Sequence, residues 1–366
     1  IGTVFQSIAT ISSSASVVAN SVSLQTTTRI YQARFDSADW SGKLLSFPVT
    51  ISTGALETAE WDAGVVIAGQ DYDTGRNWIT WRDDTGDGVP FRWTDISPQQ
   101  QAWLSLNPDT IAPDSLGSDR LDYLRGDTSN ELAGGSGSFR NRTSPLGDVV
   151  HSTPTVVAAP AFGYRDYLPG TTTLFESAKY SDFETELGDS ECVDSSGTAI
   201  TSWTKGTSGG AGGREPMLYF GANDGALHAV SACTGEERLA YVPTALYPKL
   251  STLTSVASSH EYYVDGPTTV VDAFYGGAWH TVAVGTLRGG GKAVFALDVT
   301  DPNNFSEAST DPAEIALWEI EATPTVVGSD FEELGFTFSQ PAVIKAEGLG
   351  WVAVFGNGYD LSLIHI

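Results

Sequence analysis

"YFGANDGALHAVSACTGEERLAYVP", residues 219–243, reads as a strand ending at Gly221, a Gly-rich turn, a strand, a turn and another strand. The order returns in "HTVAVGTLRGGGKAVFALDVTDP" from His280, followed by "IALWEI" from Ile315. Ala229 and Ala296 hold matching places in the third strand of each unit. Each unit is preceded by a strand opened by proline: "STPTVVAAP" at Pro154 and "DGPTTVVDAF" at Pro267, with "SQPAVIKAE" at Pro341 leading a further one into "WVAVFGNG". Proline suits a strand's first residue, where a missing N–H is tolerated. Four consecutive antiparallel strands, repeated, make a propeller blade. The predicted class is all-β, a β-propeller with a few short helices.

Outward from these repeats the chain is less regular. Pro267 to Gly285 spans 18 residues and Pro341 to Gly356 spans 15, but Pro154 to Gly221 spans 67. A long inserted loop therefore occupies about 161–215, with the loop-like run "SSGTAITSWTKGTSGGAGG". Residues 28–62 read as a degenerate blade, "ITWRDDTGDGVPFRW" as a hairpin, and "SDRLDYLRGD" as a short helix. "SPQQQAWLSL" offers Ser97 as N-cap, Pro98 at the first helical position and Gln100 three after the cap. Residues 1–27 read as a linker or helix leading in, 28–359 as the propeller, and 360–366 as an atypical tail, a truncation or an artefact. About three blades and the start of another fall short of the roughly four to eight that close a ring, so the propeller reads as truncated.

Composition bounds the partners. With 45 acidic against 19 basic residues the formal charge is −26, which repels phosphate backbones, so nucleic acid is excluded as a partner. No run of 18 apolar residues spans a membrane. The chain opens "IGTVFQSIAT" without Met and reads as an internal piece of a longer protein. Cys192 and Cys233, both in turn-like surroundings that read as exposed, are a candidate disulfide in an oxidising compartment and two thiols in the cytosol.

Several motifs invite chemistry and lack its requirements. In "DDTGDG", Asp83, Thr85 and Asp87 fit positions 1, 3 and 5 of a calcium loop, but position 12 is Thr94 instead of a bidentate Glu. These three are metal candidates beside the plainer reading of an acidic hairpin tip. The "RGD" at 125–127 follows a helix and reads as a local anchor, not a receptor ligand. "GTLRGGGK" lacks phosphate-loop spacing and leads into a strand. The histidines show no metal-ligand spacing, and Ser152 beside His151 is no triad, because adjacent strand residues point to opposite faces.

In order, "RIYQARFDSADWSGKLLSFPV", "GVPFRW", "LDYLRGD", "FRNRTSPLGDVVHSTPTVV", "YFGANDGALHAV", "YPKLSTLT", "YYVDGPTTV", "GGGKAVFALDVTDP", "LGFTFSQPAV" and "VFGNGY" resemble the C-terminal propeller of the PilC/PilY family. These are type IV pilus tip-associated biogenesis factors and adhesins, and the resemblance covers about 25–359. It implies an extracytoplasmic protein of the outer membrane, cell surface or pilus tip. Such a protein supports pilus assembly, opposes retraction and contributes to adhesion and twitching motility. Implied partners are pilins, minor pilins, the pilus secretion machinery and a host or abiotic surface. It implies a calcium loop as well, downstream of "GNGY" and so beyond Tyr359.

The repeat also resembles quinone-dependent propeller dehydrogenases, so a periplasmic quinoprotein-like enzyme is one alternative and a generic outer-membrane propeller module another. Those enzymes stack their quinone on a vicinal Cys-Cys disulfide, whereas Cys192 and Cys233 are 41 positions apart, and Ser231 stands where the other repeat has Asp298. The reading is a non-enzymatic binding scaffold with no quinone cofactor.

Overall fold

The computed structural model describes residues 13–19, 29–50, 52–134, 137–188, 192, 213–257, 259–308, 311–322 and 331–359. The first sheet holds β1 (Ser13–Ala19), β2 (Arg29–Asp36), β3 (Ser41–Thr50), β4 (Ala55–Leu56) and β5 (Trp61–Asp62), with every pair antiparallel. The linker or helix expected over 1–27 is corrected at 13–19: this segment is a strand, paired along β2. Helix α1 (Ala63–Gly69) follows, with Asp62 accepting a 3.0 Å hydrogen bond from the Gly64 N–H as its cap.

The hairpin forms as β6 (Trp78–Arg82) and β7 (Asp87–Pro90). Helix α2 (Pro98–Leu104) closes its capping box: Ser97 Oγ accepts from Gln100 N at 3.1 Å, and Gln100 Oε1 accepts from Ser97 N at 2.9 Å. Helix α3 (Gly117–Arg125) is the second predicted helix.

Both full repeats are four-stranded antiparallel blades. The first is β8 (Thr155–Val157), β9 (Met217–Gly221), β10 (Leu227–Ser231) and β11 (Glu237–Val242). The second is β12 (Thr269–Tyr275), β13 (Ala278–Thr286), β14 (Ala293–Asp298) and β15 (Ala316–Glu321). The matching alanines prove structural, since each blade shifts register after Ala229 or Ala296, where its third strand meets its fourth. Strands β16 (Ala342–Ala346) and β17 (Gly350–Val354) make a further hairpin.

One pairing has no counterpart in the sequence reading. Strand β6 lies parallel to β11, with Ala240 opposite Trp78, so the hairpin widens the first blade to six strands and covers its edge. Strands β9 and β10 are buried along their whole length, packed on both faces. The main core runs through Trp78, Phe91, Tyr219, Leu227, Tyr241 and Phe295. At about 25 cal/mol per Å² of apolar surface, burial of this kind dominates the fold's stability.

The insert is more than a loop where it is described. Tyr164 stacks on Trp279 at 5.3 Å and meets Trp351 edge-on at 5.2 Å. Helix α4 (Tyr180–Glu186) buries Tyr180, whose hydroxyl donates to Asp272 Oδ2 at 2.6 Å. Glu176 accepts from Lys345 Nζ at 2.5 Å and from Trp351 Nε1 at 3.0 Å. The insert thus crosses the second blade and reaches the β16–β17 hairpin, and Cys192 is disulfide-bonded to Cys233 in the β10–β11 turn. Both cysteines are buried, which corrects the expectation of exposure. Residues 189–191 and 193–212 of the insert, and the 360–366 tail, lie outside the described residues.

Candidate functional site

Strands β9 and β13 end at one face of the molecule, and there the loops from the quoted motifs meet. "PLGD" (145–148), "GAND" (221–224) and "YYVDG" (262–266) interlock. Asn223 N donates to Asp148 O at 3.0 Å, and its Nδ2 donates to Asp148 Oδ2 at 2.7 Å. Asn223 Oδ1 accepts from Tyr263 N at 2.8 Å, and Val264 N donates to Ala222 O at 3.2 Å. Asp224 Oδ2 accepts from Gly147 N at 2.8 Å. The next junction repeats the arrangement: Leu287 N donates to Thr337 Oγ1 at 3.0 Å and Arg288 N to Thr337 O at 3.2 Å.

Glycine permits these approaches. A Cβ on Gly290 would lie 1.6 Å from Tyr263 O, and one on Gly221 would lie 2.1 Å from Val264 O. The lysine of "YPKLSTLT" adds a clasp, Lys249 Nζ donating to Tyr262 O at 2.5 Å and to Gly290 O at 2.6 Å. Burial pushes this ammonium down to about 8.

Two reciprocal His–Asp pairs cross the same junction. His151 Nδ1 lies 2.6 Å from Asp265 Oδ2, and His260 Nε2 lies 2.8 Å from Asp148 Oδ2. Burial raises the Asp265 carboxyl, and His151 works against that. Below them sits a buried charge cluster. Glu237 binds Arg76 through both oxygens, at 2.6 and 3.0 Å, accepts from Trp78 Nε1 at 2.9 Å and lies 2.7 Å from His228 Nδ1. His228 Nε2 reaches Asp224 at 3.0 Å. Burial alone would lower the His228 value, but Asp224 and Glu237 outweigh it and push it up to about 9. Burial would likewise raise Glu237, yet Arg76 and His228 hold it well below the usual carboxylate range.

The remaining sequence candidates fall elsewhere. Asp83 and Thr85 lie in the exposed turn between β6 and β7 and Asp87 opens β7; beside them Asp84 pairs with Arg82 at 2.6 Å. Among the described residues no group of three His, Cys, Asp or Glu is placed to hold a metal ion, and none of the helices is long and apolar enough to cross a membrane. Arg125 of "RGD" is only 1% exposed; it bonds Phe91 O, Tyr72 O and Arg76 O and pairs with Glu307 at 2.7 Å. Asp127 caps locally onto Ser129 N at 2.9 Å. His280 pairs with Asp298 at 2.7 Å, and Ser152 Oγ accepts from Gly221 N at 2.7 Å. None of these is assembled around a nucleophile.

Sequence reasoning gave no role to Asp148, Asn223, Asp224 or Asp265, though all four lie inside motifs quoted above, and weighed His260 only with the other histidines, as a structural residue without metal-ligand spacing. Their signal was the motifs themselves, three short polar strings each beside a strand end. Against this face lies a cleft of mixed lining, with Asp39, Arg140 and Asp148 beside Trp40, Leu146 and Leu253.

Comparison with known proteins locates the sequence. A family model described as the PilY1 beta-propeller domain matches residues 193–364. The type IV pilus biogenesis factor PilY1 of Pseudomonas aeruginosa (strain UCBPP-PA14) is 36% identical over 336 residues, covering 90% of this chain and 25% of that protein. A PilY1 homolog of Xylella fastidiosa (strain Temecula1 / ATCC 700964) is 33% identical over 340 residues, covering 93% of this chain and 23% of the homolog. The chain thus spans about a quarter of the length of the curated relatives it matches. A crystal structure of the Pseudomonas aeruginosa PilY1 C-terminal domain shares 42% identity over 41% of this chain and 26% of that one, at a TM-score of 0.31 that carries no argument about the fold.

Proposed function

We propose, starting from a chain that belongs to the PilC/PilY family through its propeller sequence, that it is the rigid, non-catalytic scaffold of a type IV pilus biogenesis factor. The observation that carries this reading is how the motif residues are spent. Asp148, Asn223, Asp224 and Asp265 are bonded to backbone and side chains of adjacent loops, so they lock blades together where an enzyme would aim them at a substrate. A scaffold locked in this way holds its loops in fixed register and binds partners with little ordering cost.

The finer role extends the relatives' part in type IV pilus biogenesis by what the family resemblance implies. The full protein acts outside the cytoplasm at the cell surface or pilus tip, assembles with pilins, minor pilins and the secretion machinery, opposes retraction and contributes to adhesion. Any calcium it binds is held beyond residue 359. Mass spectrometry of filaments sheared from the native cells tests this. Co-purification of the chain with the major pilin, lost in a pilin deletion, is the expected result. Recovery only from a soluble periplasmic fraction would overturn the pilus role.

A further inference from the structure

We infer that the cavity beside Arg214 binds a carboxylate carried on a small apolar body. Arg214 stands where the insert rejoins the first blade, and it is only 3% exposed. A buried guanidinium keeps its charge and calls for a counter-charge. The other buried arginines among the described residues touch one directly: Arg29 on Glu60, Arg76 on Glu237, Arg120 on Asp114 and Arg125 on Glu307. Arg214 has no such contact among the described residues. Its Nε donates to Ala158 O, and its Nη1 donates to Thr281 Oγ1 at 2.6 Å and to Thr300 O at 3.5 Å. That leaves Nη2 without a partner among the described residues. Asp272 acts on the guanidinium at one remove, through the Thr281 hydroxyl that donates to its Oδ1 at 2.6 Å, and its Oδ2 is taken by Tyr180. Burial pushes the Arg214 guanidinium down, and Asp272 is the first group to oppose it.

The cavity that Arg214 lines lies at the seam of the two blades. Strand β8 and the chain that follows it form one side, with Val270 of β12 and Thr281 of β13 on the other. Its volume is about 200 Å³, and about 150 Å³ is enough to admit a benzene ring. Val156, Val157, Ala159, Pro160, Phe162 and Val270 make the walls apolar, and Arg214 is the single charge among the described residues that line them. Both wall hydroxyls are already spent, Thr155 Oγ1 on Thr268 O at 3.3 Å and Thr281 Oγ1 on Asp272. A cation is repelled here. Phosphate or sulfate needs more donors than one Nη2 offers, and its other oxygens would face apolar walls. An uncharged apolar molecule leaves the guanidinium without its counter-charge. A monocarboxylate with a short aliphatic or aromatic body puts its charge on Nη2 and its carbons against the valines and Phe162. A free organic acid and the carboxyl end of a peptide with an apolar last residue share this chemistry.

The test is calorimetry and thermal shift on the full-length protein that carries this chain. The probes are benzoate, its neutral analogue benzamide, inorganic sulfate, and the tripeptide Ala-Ala-Phe with a free or an amidated C-terminus. Benzoate is expected to raise the melting temperature and to bind roughly tenfold or more tighter than benzamide. Arg214→Met is expected to abolish that preference. Ala161→Trp fills the cavity from its exposed rim and leaves the guanidinium in place. It is expected to weaken benzoate by a similar factor with the ligand-free melting temperature unchanged, and it decides the matter should Arg214→Met fail to fold. Tighter binding of the free tripeptide than of benzoate, lost on amidation, supports the site and assigns it to a protein terminus; the reverse order supports it and assigns a free acid. No binding of either carboxylate overturns the inference. Equal binding of benzoate and benzamide, sulfate bound more tightly than the carboxylates, or carboxylate binding untouched by Ala161→Trp each overturn it as well.

Discussion

The two ends of the blades are held together by opposite means. At the motif face, loops meet backbone to backbone through glycines and short polar side chains, with Gly290 lying against Tyr263 O and Asn223 bonded to both Asp148 and Tyr263. At the other end, the insert lays bulky rings across the blades, Tyr164 and Tyr180 on Trp279, and is pinned by the Cys192–Cys233 disulfide. The first arrangement has no room for an added atom. The second depends on volume and a cross-link, so it tolerates local change and answers to redox conditions. Rigidity at the motif face is thus written in which residues are absent, and at the strap face in which are present.

The largest effect expected is from Gly290→Ala. Its new Cβ would overlap Tyr263 O and force the clasp apart, a cost above about 4 kcal/mol that should leave little folded protein. Soluble expression and circular dichroism check this, and a normally folded variant would mean that the loops are not in contact. Next is Glu237→Gln. It leaves Arg76 and His228 buried without their shared carboxylate, and should cost about 3–5 kcal/mol in urea unfolding.

Much of the motif face could be read from sequence and little of the strap face could. Pro154, Pro267, Pro341 and the Ala229–Ala296 match give the blades, because a repeated local pattern reports strand, turn and burial at once. The capping box at Ser97 is legible for the same reason. The parallel pairing of β6 with β11 is not, since Ala240 lies 162 positions after Trp78 and nothing local marks the partner. Within the insert, Tyr164 and Tyr180 stand among loop-like residues, and the use of their rings depends on where Trp279 lies in space. The cysteines were visible but their separation in three dimensions was not. At the site, each motif was visible singly. Their convergence appears only once the strands are laid side by side.

Reduction should separate the two faces. Opening the disulfide, by dithiothreitol or Cys192→Ser, releases a 41-residue closure and is expected to remove about 4 kcal/mol. Hydrogen exchange would then quicken in 161–188 while residues 221–224 and 262–265 keep their protection. Equal loss of protection on both faces would show that the strap and the interlock are one cooperative unit, and would end the distinction drawn here.

The smallest effect sharpens the comparison by pH. His228 carries a value of about 9 in the folded protein against 6.5 ordinarily, because Asp224 and Glu237 favour its charged form more strongly than burial opposes it. A group whose folded value is raised contributes stability in full below its unfolded value and loses it as pH climbs through the folded one. The loss should amount to about 2 kcal/mol between pH 7 and 8.5. Glu319, raised to about 8 by burial, adds in the same direction, since its folded form also holds a proton that the unfolded chain releases. His228→Gln should therefore flatten the melting temperature against pH without abolishing its slope. The reduced protein should keep the full slope, because neither group touches the strap. A pH profile unchanged by His228→Gln would place the titrating group elsewhere and deny the cluster beneath the motif face its charge.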